Sequence, residues 1–394
     1  MAGPEIARGL IAALALLAAL PAAAETVRVA SFNTALSAGG PGLLLDALRR
    51  GRTEKAETLT AILLEVRPDI LVLQEVDHDA AGATLAALAG VLEAAGLDYP
   101  HRYTAPVNTG QPSGVDLNGD GDPSGPADAY GFGRFPGQYG MAVLSRYPIR
   151  AEAARSFALL RWADFPEHVM PVAADGTPWP TAEAAAVMRL SSKSHWDLPV
   201  ALPGGDLHLL ISHPTPPVFD GPEDLNGRRN HDEIAFWTRY LDGWAAPDDA
   251  GVAVPFAGPH FVILGDLNAD PEDGDGRREA IRALLAHPRL QDPAPEGAGG
   301  VAAAGEGVNA RHRGDPARDT ADWNDTRGPG NLRVDFVLPS ATLEVTGAGV
   351  FWPAPGAPGH ALVAGGRDAS SDHRLVWADS IAAILPYCSA RSSQ

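Results

Sequence analysis

Residues 261–271 read FVILGDLNADP and residues 370–379 read SSDHRLVWAD. In the first stretch an apolar run ends in glycine and is followed by Asp266 and Asn268. Positions i and i+2 of a strand share one face, so these two side chains can touch the same ligand. In the second stretch Asp372 and His373 stand just before the apolar run Leu375–Trp377. The same arrangement recurs along the chain. Asn33 follows Val27–Phe32, Gln74 and Glu75 follow Ile70–Leu73, His213 follows Leu209–Ser212, and Asp335 interrupts Val334–Leu338. Buried strands do not carry carboxylates, amides and imidazoles at their ends without partners, because an unpaired buried charge costs several kcal/mol. One polar site at a common rim satisfies all of them.

Working outward, short apolar or β-branched runs at Val27–Phe32, Ile70–Gln74, Gly140–Ser145, Leu207–Ser212, Phe261–Gly265, Leu332–Leu338 and Leu375–Trp377 predict strands. Apolar residues at helical spacing predict helices over Thr53–Val66, Ala81–Ala95, Asn230–Trp244 and Arg277–Ala286. Strands and helices mixed in this way fit sheets packed on each other with helices outside. Four Pro-, Gly- and Asp-rich connections, 104–137, 150–189, 215–229 and 270–330, read as insertions, and such loops commonly carry specificity. No linker or composition break divides residues 25–385, so one elaborated domain is expected, with two domains as the alternative at this length, followed by a tail at 386–394. Residues 1–24, with the apolar run Leu10–Leu20 and small residues at Ala22 and Ala24, read as a secretory signal peptide, with an uncleaved anchor as the alternative because Glu5 weakens the positive start. The expected location is secreted or periplasmic, with no membrane span after cleavage.

The 394 residues carry 30 Lys+Arg against 49 Asp+Glu, a net charge of −19. Tight, backbone-driven nucleic-acid binding depends on Lys and Arg neutralising phosphates, so a nucleic-acid substrate stays open only as a weakly held one. Hydrophobic residues make up 45%, too many for a disordered chain. The single cysteine, Cys388, excludes an intrachain disulfide framework and a Cys-rich metal site.

The ordered set ASFNTA (30–35), PDILVLQEVD (68–77), YGMAVLSRYPI (139–149), LLISH (209–213), FVILGDLNADP (261–271), RVDFVLPS (333–340) and SSDHRLVWAD (370–379) resembles the endonuclease/exonuclease/phosphatase family. This deoxyribonuclease I-like superfamily includes nucleases, neutral sphingomyelinases and inositol-polyphosphate phosphatases. The resemblance implies an α+β fold, a four-layered α/β/β/α sandwich of two mixed β-sheets with flanking helices, and a metal-dependent phosphoesterase site. By the same resemblance Glu75, Asn33 and Asp372 belong to a Mg²⁺ (or Mn²⁺) site, where a hard ion prefers oxygen donors. Asp266 matches the residue that orients or deprotonates the attacking water, and Asn268 the amide that donates to phosphate. His373 matches the histidine on a phosphoryl oxygen, Asp335 the carboxylate that holds it protonated, and His213 a further histidine at the phosphate or leaving group. A protonated histidine there would stabilise charge and could donate a proton to the departing alkoxide.

Two departures bear on the leaving-group side: Phe32 stands where many relatives have tryptophan, and His213 is followed by Pro-Thr-Pro-Pro. Other segments carry both plain and functional readings. Asp116, Asn118, Asp120 and Asp122 alternate like the start of a calcium loop, without the terminal Glu, and read as a solvated turn or a structural Ca²⁺ site. Arg134 within YGFGRFPGQY (130–139) reads as an anion clamp or as loop packing. Lys193 and His195 read as substrate contacts or as structure, and Arg228 and Arg229 as a solvated loop or a contact to a distal phosphate. Two function classes follow: a hydrolase acting on a phosphate-ester substrate, a nucleic-acid phosphodiester included, or a noncatalytic extracellular binding module of the same fold.

Overall fold

The computed structural model describes residues 26–381; the expected signal peptide, Cys388 and the tail lie outside the described residues. The first sheet has six strands: β1 (Thr26–Asn33), β2 (Ile70–Gln74), β3 (His101–Tyr103), β4 (Met141–Ser145), β12 (Glu344–Val350) and β13 (Val376–Ile381), in the order β12-β13-β1-β2-β4-β3. The second has five: β5 (Arg155–Ser156), β6 (His195–Leu202), β7 (Gly205–Ser212), β8 (Phe261–Asp266) and β11 (Asp335–Pro339), in the order β11-β8-β7-β6-β5. A small ladder joins β9 (Ala321–Asp322) to β10 (Asn331–Leu332). Both sheets are mixed, each with one parallel pair, β1 with β2 and β7 with β8. The middles of β2 and β8, Ile70–Leu73 and Phe261–Leu264, are wholly apolar, as suits strands covered on both faces.

Side-chain alternation builds the layers. On the second sheet Val262, Leu264, Leu209 and Ile211 join the core shared with the first sheet. Their neighbours Phe261, Ile263 and Leu210 point the other way, onto helices α5 (Leu225–Leu241) and α6 (Arg278–Leu285). The outer face of the first sheet is covered by α1 (Leu43–Arg49), α2 (Glu54–Val66) and α3 (Ala83–Ala94). Helix α2 starts where the Thr53 hydroxyl accepts from the Ala56 amide, a cap worth about 1 kcal/mol. It ends where Arg67 turns left-handed (φ 51°) ahead of Pro68. The four expected layers are present.

Several elements differ from expectation. The run Leu332–Leu338 is not one strand: Arg333 donates its amide to Asp270 and Val334 accepts from Leu267, so β10 and β11 pair with different partners. Helix α5 begins at Leu225, inside the expected insertion 215–229. Insertions 150–189 and 270–330 contain further helices, α4 (Ala182–Val187) and α7 (Ala298–Ala303), and α8 (Gly366–Ala369) precedes the Ser-Asp-His turn. Among the described residues no helix is long and apolar enough to cross a membrane.

Candidate active site

Strand direction assembles the site. β1, β2, β7 and β8 all finish at one rim, delivering Asn33, Glu75, His213 and Asp266 there. β11 runs antiparallel to β8 and therefore starts at that rim, with Asp335 in register opposite Asp266. β13 runs antiparallel to β1, so the turn ahead of it brings Asp372 and His373 to the same place. The rim backbone is contorted: Glu75 (φ 58°) and Asn268 (φ 51°) both occupy the left-handed region, which costs about 1–3 kcal/mol each and persists where surrounding contacts impose it. Gly265 is required for a different reason, since a Cβ there would lie 1.9 Å from the Ser212 carbonyl oxygen.

Asp266 is the hub. It is buried, and its Oδ2 accepts from Asn33 Nδ2 at 2.9 Å, with His213 Nε2 at 3.3 Å and His373 Nε2 at 3.7 Å. Its Oδ1 accepts the Asn268 amide at 2.9 Å. Burial alone would raise its pKa; the charges of His373 and His213 and the bonds from His213 and Asn33 outweigh that and hold it far below the usual carboxylate range. His373 Nδ1 lies 2.9 Å from Asp335 Oδ2. Burial opposes its charge, but Asp335 and Asp266 prevail and the imidazole is pushed up to about 10. Asp335, buried and beside Asp266, rises to about 6 despite the His373 charge, so at neutral pH the pair is carboxylate and imidazolium. At 3.7 Å from Asp266 the other nitrogen, Nε2–H, is beyond hydrogen-bond range and free to meet an oxygen anion.

His213 departs from the expectation of a protonated histidine. It is buried, its pKa is lowered first by burial and then by the charge of Lys193, and its Nδ1 has no partner among the described residues. It is therefore neutral at pH 7. Asn33 also differs from a simple ion ligand: its Nδ2 faces Asp266 and Glu75 (3.3 Å), while its Oδ1 accepts the Ala35 amide. Asn268 donates Nδ2 to the Pro214 carbonyl at 3.1 Å, which fixes the amide at the rim.

The opposite side of the rim is more open. Glu75 and Asp372, with side chains 14% and 13% exposed, are spanned by one guanidinium, that of Arg367. Their oxygens thus converge within the width of a single planar cation, and an all-oxygen pair at that spacing suits a hard divalent ion. Asp266, Asp335 and His373 also offer ligand atoms within 4.8 Å of one another. There, however, both imidazole nitrogens face carboxylates and the ring is protonated, so the Glu75–Asp372 pair is the better seat for an ion.

Sequence reasoning missed the supports. Trp323, inside the insertion 270–330, donates Nε1 to Asp372 Oδ2 at 3.1 Å and stands edge-on to His373 at 5.4 Å. Ser371 donates to the Asn33 carbonyl and accepts the His373 amide. The buried Arg374 binds the carbonyls of Ser371 and His373 and reaches Asp322, clamping the turn. No sequence signal marks Trp323; the serine before Asp-His was legible as part of SSDH.

The ambiguous segments resolve differently from one another. His195 is structural: it is fully buried, held by Ser191 and the Glu233 carbonyl, and lowered to about 4 by burial. Arg228 and Arg229 donate to the carbonyls of Glu223, Val169, Leu190, Tyr130 and Arg189, stapling loops together. Loop 116–122 is a chain of solvent-exposed turns in which Asp116 accepts the amides of Gly119 and Gly121, and Asp120 that of Asp122. Its carboxylates accept amides of their own loop. Arg134 is exposed, and Tyr139, next to Glu75 in charge, sits on the same segment. Lys193 is buried, faces the charges of Glu233, Asp266 and Glu75, and its ammonium makes no hydrogen bond to any described residue.

The sequence profile of the Endonuclease/Exonuclease/phosphatase family matches residues 30–373. The chain belongs to that family. Its members are in general metal-dependent hydrolases of phosphate esters. Among solved structures it is similar to an endonuclease/exonuclease/phosphatase from Beutenbergia cavernae, 21% identical, with TM-score 0.50 over 90% of this chain and 71% of that one. It is also similar to sphingomyelinase C from Streptomyces griseocarneus, 15% identical, TM-score 0.46, over 90% and 99% of the two chains. A third is a mutant beta toxin from Staphylococcus aureus with bound magnesium ions, 13% identical, TM-score 0.47, over 90% and 99%. No curated protein matches the chain.

Proposed function

We propose that this protein is a divalent-metal-dependent phosphoesterase that hydrolyses a phosphate ester by attack of a water aligned on Asp266. The observation that supports it best is the His373 imidazolium, fixed at Nδ1 by Asp335 with Nε2–H left free beside Asp266. An ionised acceptor and a charged donor side by side suit a phosphoryl group entering with its water. Asp266 accepts a hydrogen bond from the water and takes up its proton as the new oxygen–phosphorus bond forms and the ester oxygen–phosphorus bond breaks, the departing alkoxide taking its proton from solvent. His373 stabilises the charge growing on the phosphoryl oxygen, and Asn268 and the Lys193 ammonium complete the anion cradle. His213, neutral, orients Asp266. Glu75 and Asp372 would hold Mg²⁺ or Mn²⁺, whose contribution is Lewis-acid polarisation of the phosphate.

The net charge of −19 favours a small phosphate ester or head group over a nucleic acid, whose backbone this surface repels. Residues 1–24 support action in the periplasm or outside the cell. The test is a panel of phospholipids, nucleotides, sugar phosphates, DNA and RNA with Mg²⁺, Mn²⁺ and Ca²⁺ in turn. Chelator-sensitive turnover, lost in Glu75→Ala and Asp266→Ala, is expected. Full activity in the double variant would eliminate the assignment, and phosphate-ligand binding without turnover would favour a noncatalytic module.

A further inference from the structure

Arg367 lies on the four-residue helix α8, which the family's site residues do not include. Its Nη2 donates to Glu75 Oε2 at 2.9 Å and its Nη1 to Asp372 Oδ1 at 2.8 Å, a charge-assisted bridge across two carboxylates. A hard divalent ion needs direct contact with such oxygens at ~2.0–2.1 Å, using the lone pairs the guanidinium occupies. The two cations therefore cannot both hold the pair in this geometry. We propose that Arg367 is an internal competitor for the ion: guanidinium and divalent cation hold Glu75 and Asp372 alternately, and ion affinity is set by that exchange. The proposal rests on the reading that Glu75 and Asp372 are the ion's ligands.

Three further observations favour exchange over a permanent bridge. The Arg367 side chain is 47% exposed, so its released charge passes into water at little desolvation cost. Its helix is a single turn that opens at Gly366, left-handed (φ 57°), directly after Gly365, so two glycines give the backbone beside the arginine its conformational freedom. The carboxylates, in contrast, keep other anchors: Asp372 Oδ2 accepts from Trp323 and Glu75 Oε1 faces Asn33. The arginine can leave while both ligands stay in place. Such competition weakens the ion's hold and shifts activation towards higher free-cation concentration.

The deciding experiment is calorimetric titration of Mn²⁺, and separately Mg²⁺, into the full chain at pH 7. Arg367→Gln is expected to bind about tenfold tighter than the wild type, the size of effect that removing one or two charge-assisted bonds produces. Arg367→Lys keeps the charge but cannot span both carboxylates, and should fall between the two; it also serves if the Gln variant loses structure by circular dichroism. Lys55→Gln removes a nearby cation that bonds the Ala35 carbonyl instead, and should stay within about twofold of wild type. An Arg367→Gln variant no tighter than wild type overturns the proposal. So does Lys55→Gln matching Arg367→Gln, or Arg367→Lys matching wild type, since either means that only the general field of positive charge matters. Loss of the ion in Glu75→Ala supports the underlying reading, and unchanged binding there overturns it together with the proposal.

Discussion

The two halves of the rim are built on opposite terms. Around Asp266, Asp335, His213 and His373 every side chain is buried and the donors and acceptors are interlocked across β8, β11 and the turn before β13. Around Glu75 and Asp372 the carboxylates are partly open to solvent and bridged by a half-exposed arginine from a four-residue helix. The difference separates what must be fixed from what must exchange. Groups that aim at a developing charge gain from preorganisation in a dry setting. A site that takes an ion from solution needs access and a modest reorganisation cost.

Substitutions on the two sides should therefore fail differently. The largest loss is expected for Asp266→Asn, which removes the water's acceptor and a counter-charge of the His373 imidazolium; kcat should fall by about three orders of magnitude or more, read in steady-state assays at saturating metal. Glu75→Gln comes next, with activity down about a hundredfold at fixed Mg²⁺ and partly regained at high Mn²⁺, and with an almost unchanged melting temperature. If Glu75→Gln lowers the melting temperature as much as Asp266→Asn does, the contrast between the halves is wrong.

Asp335→Asn should act mainly through pH. His373 is raised above its ordinary value, so its pairing adds stability that is complete below about pH 6.5 and lost as pH rises through about 10. Activity that needs the imidazolium should hold on the alkaline side and fall towards that value. Removing the Asp335 charge should move the alkaline limb at least about one pH unit towards neutrality, with kcat down about tenfold, measured by pH–rate profiles in Mg²⁺. An unmoved limb would separate His373 from the observed titration.

The smallest effects sharpen the picture. Burial, partly countered by Glu233, lowers the pKa of Lys193, so its charge weakens the fold on balance. Lys193→Met should raise stability by about 1 kcal/mol in urea melts while raising KM severalfold. Stability lost together with activity would make Lys193 a structural cation instead. Trp323→Phe removes one hydrogen bond to Asp372 and should weaken ion binding about two- to fivefold, read by Mn²⁺ titration.

The core strands and the residues at their ends were legible because long apolar runs and abrupt polar endings coincide, as in FVILGDLN. β6 was not, since His195, Asp197 and Pro199 break its pattern. Proline is tolerated there because residues 148–150 bind β6 through the Pro199 carbonyl and the Ala201 amide, a pairing that asks for no N–H at residue 199. β12 is absent from the expected strands because Gly347 and Gly349 break its apolar pattern, yet a Cβ at Gly349 would lie 2.9 Å from the Trp377 ring, so the glycine admits an aromatic side chain to the sheet surface. At the site, residue types announced Asp266 and His373, but their charge states depended on distances no sequence states. His213 shows this most clearly, with its charge removed by burial and a lysine twenty positions away. Arg367 and Trp323 come from irregular connecting segments and carry no pattern at all.

The opposed placement of Asp266 and Asp335 makes the second sheet a ruler for the chemistry. Strand faces alternate residue by residue, so a single insertion or deletion within β8 or β11 would turn one acid away from the other and send an apolar side chain into the rim. Diversification by changes in length is thereby confined to the connecting loops, which can be cut, extended or exchanged in the laboratory while this pair of strands keeps its count.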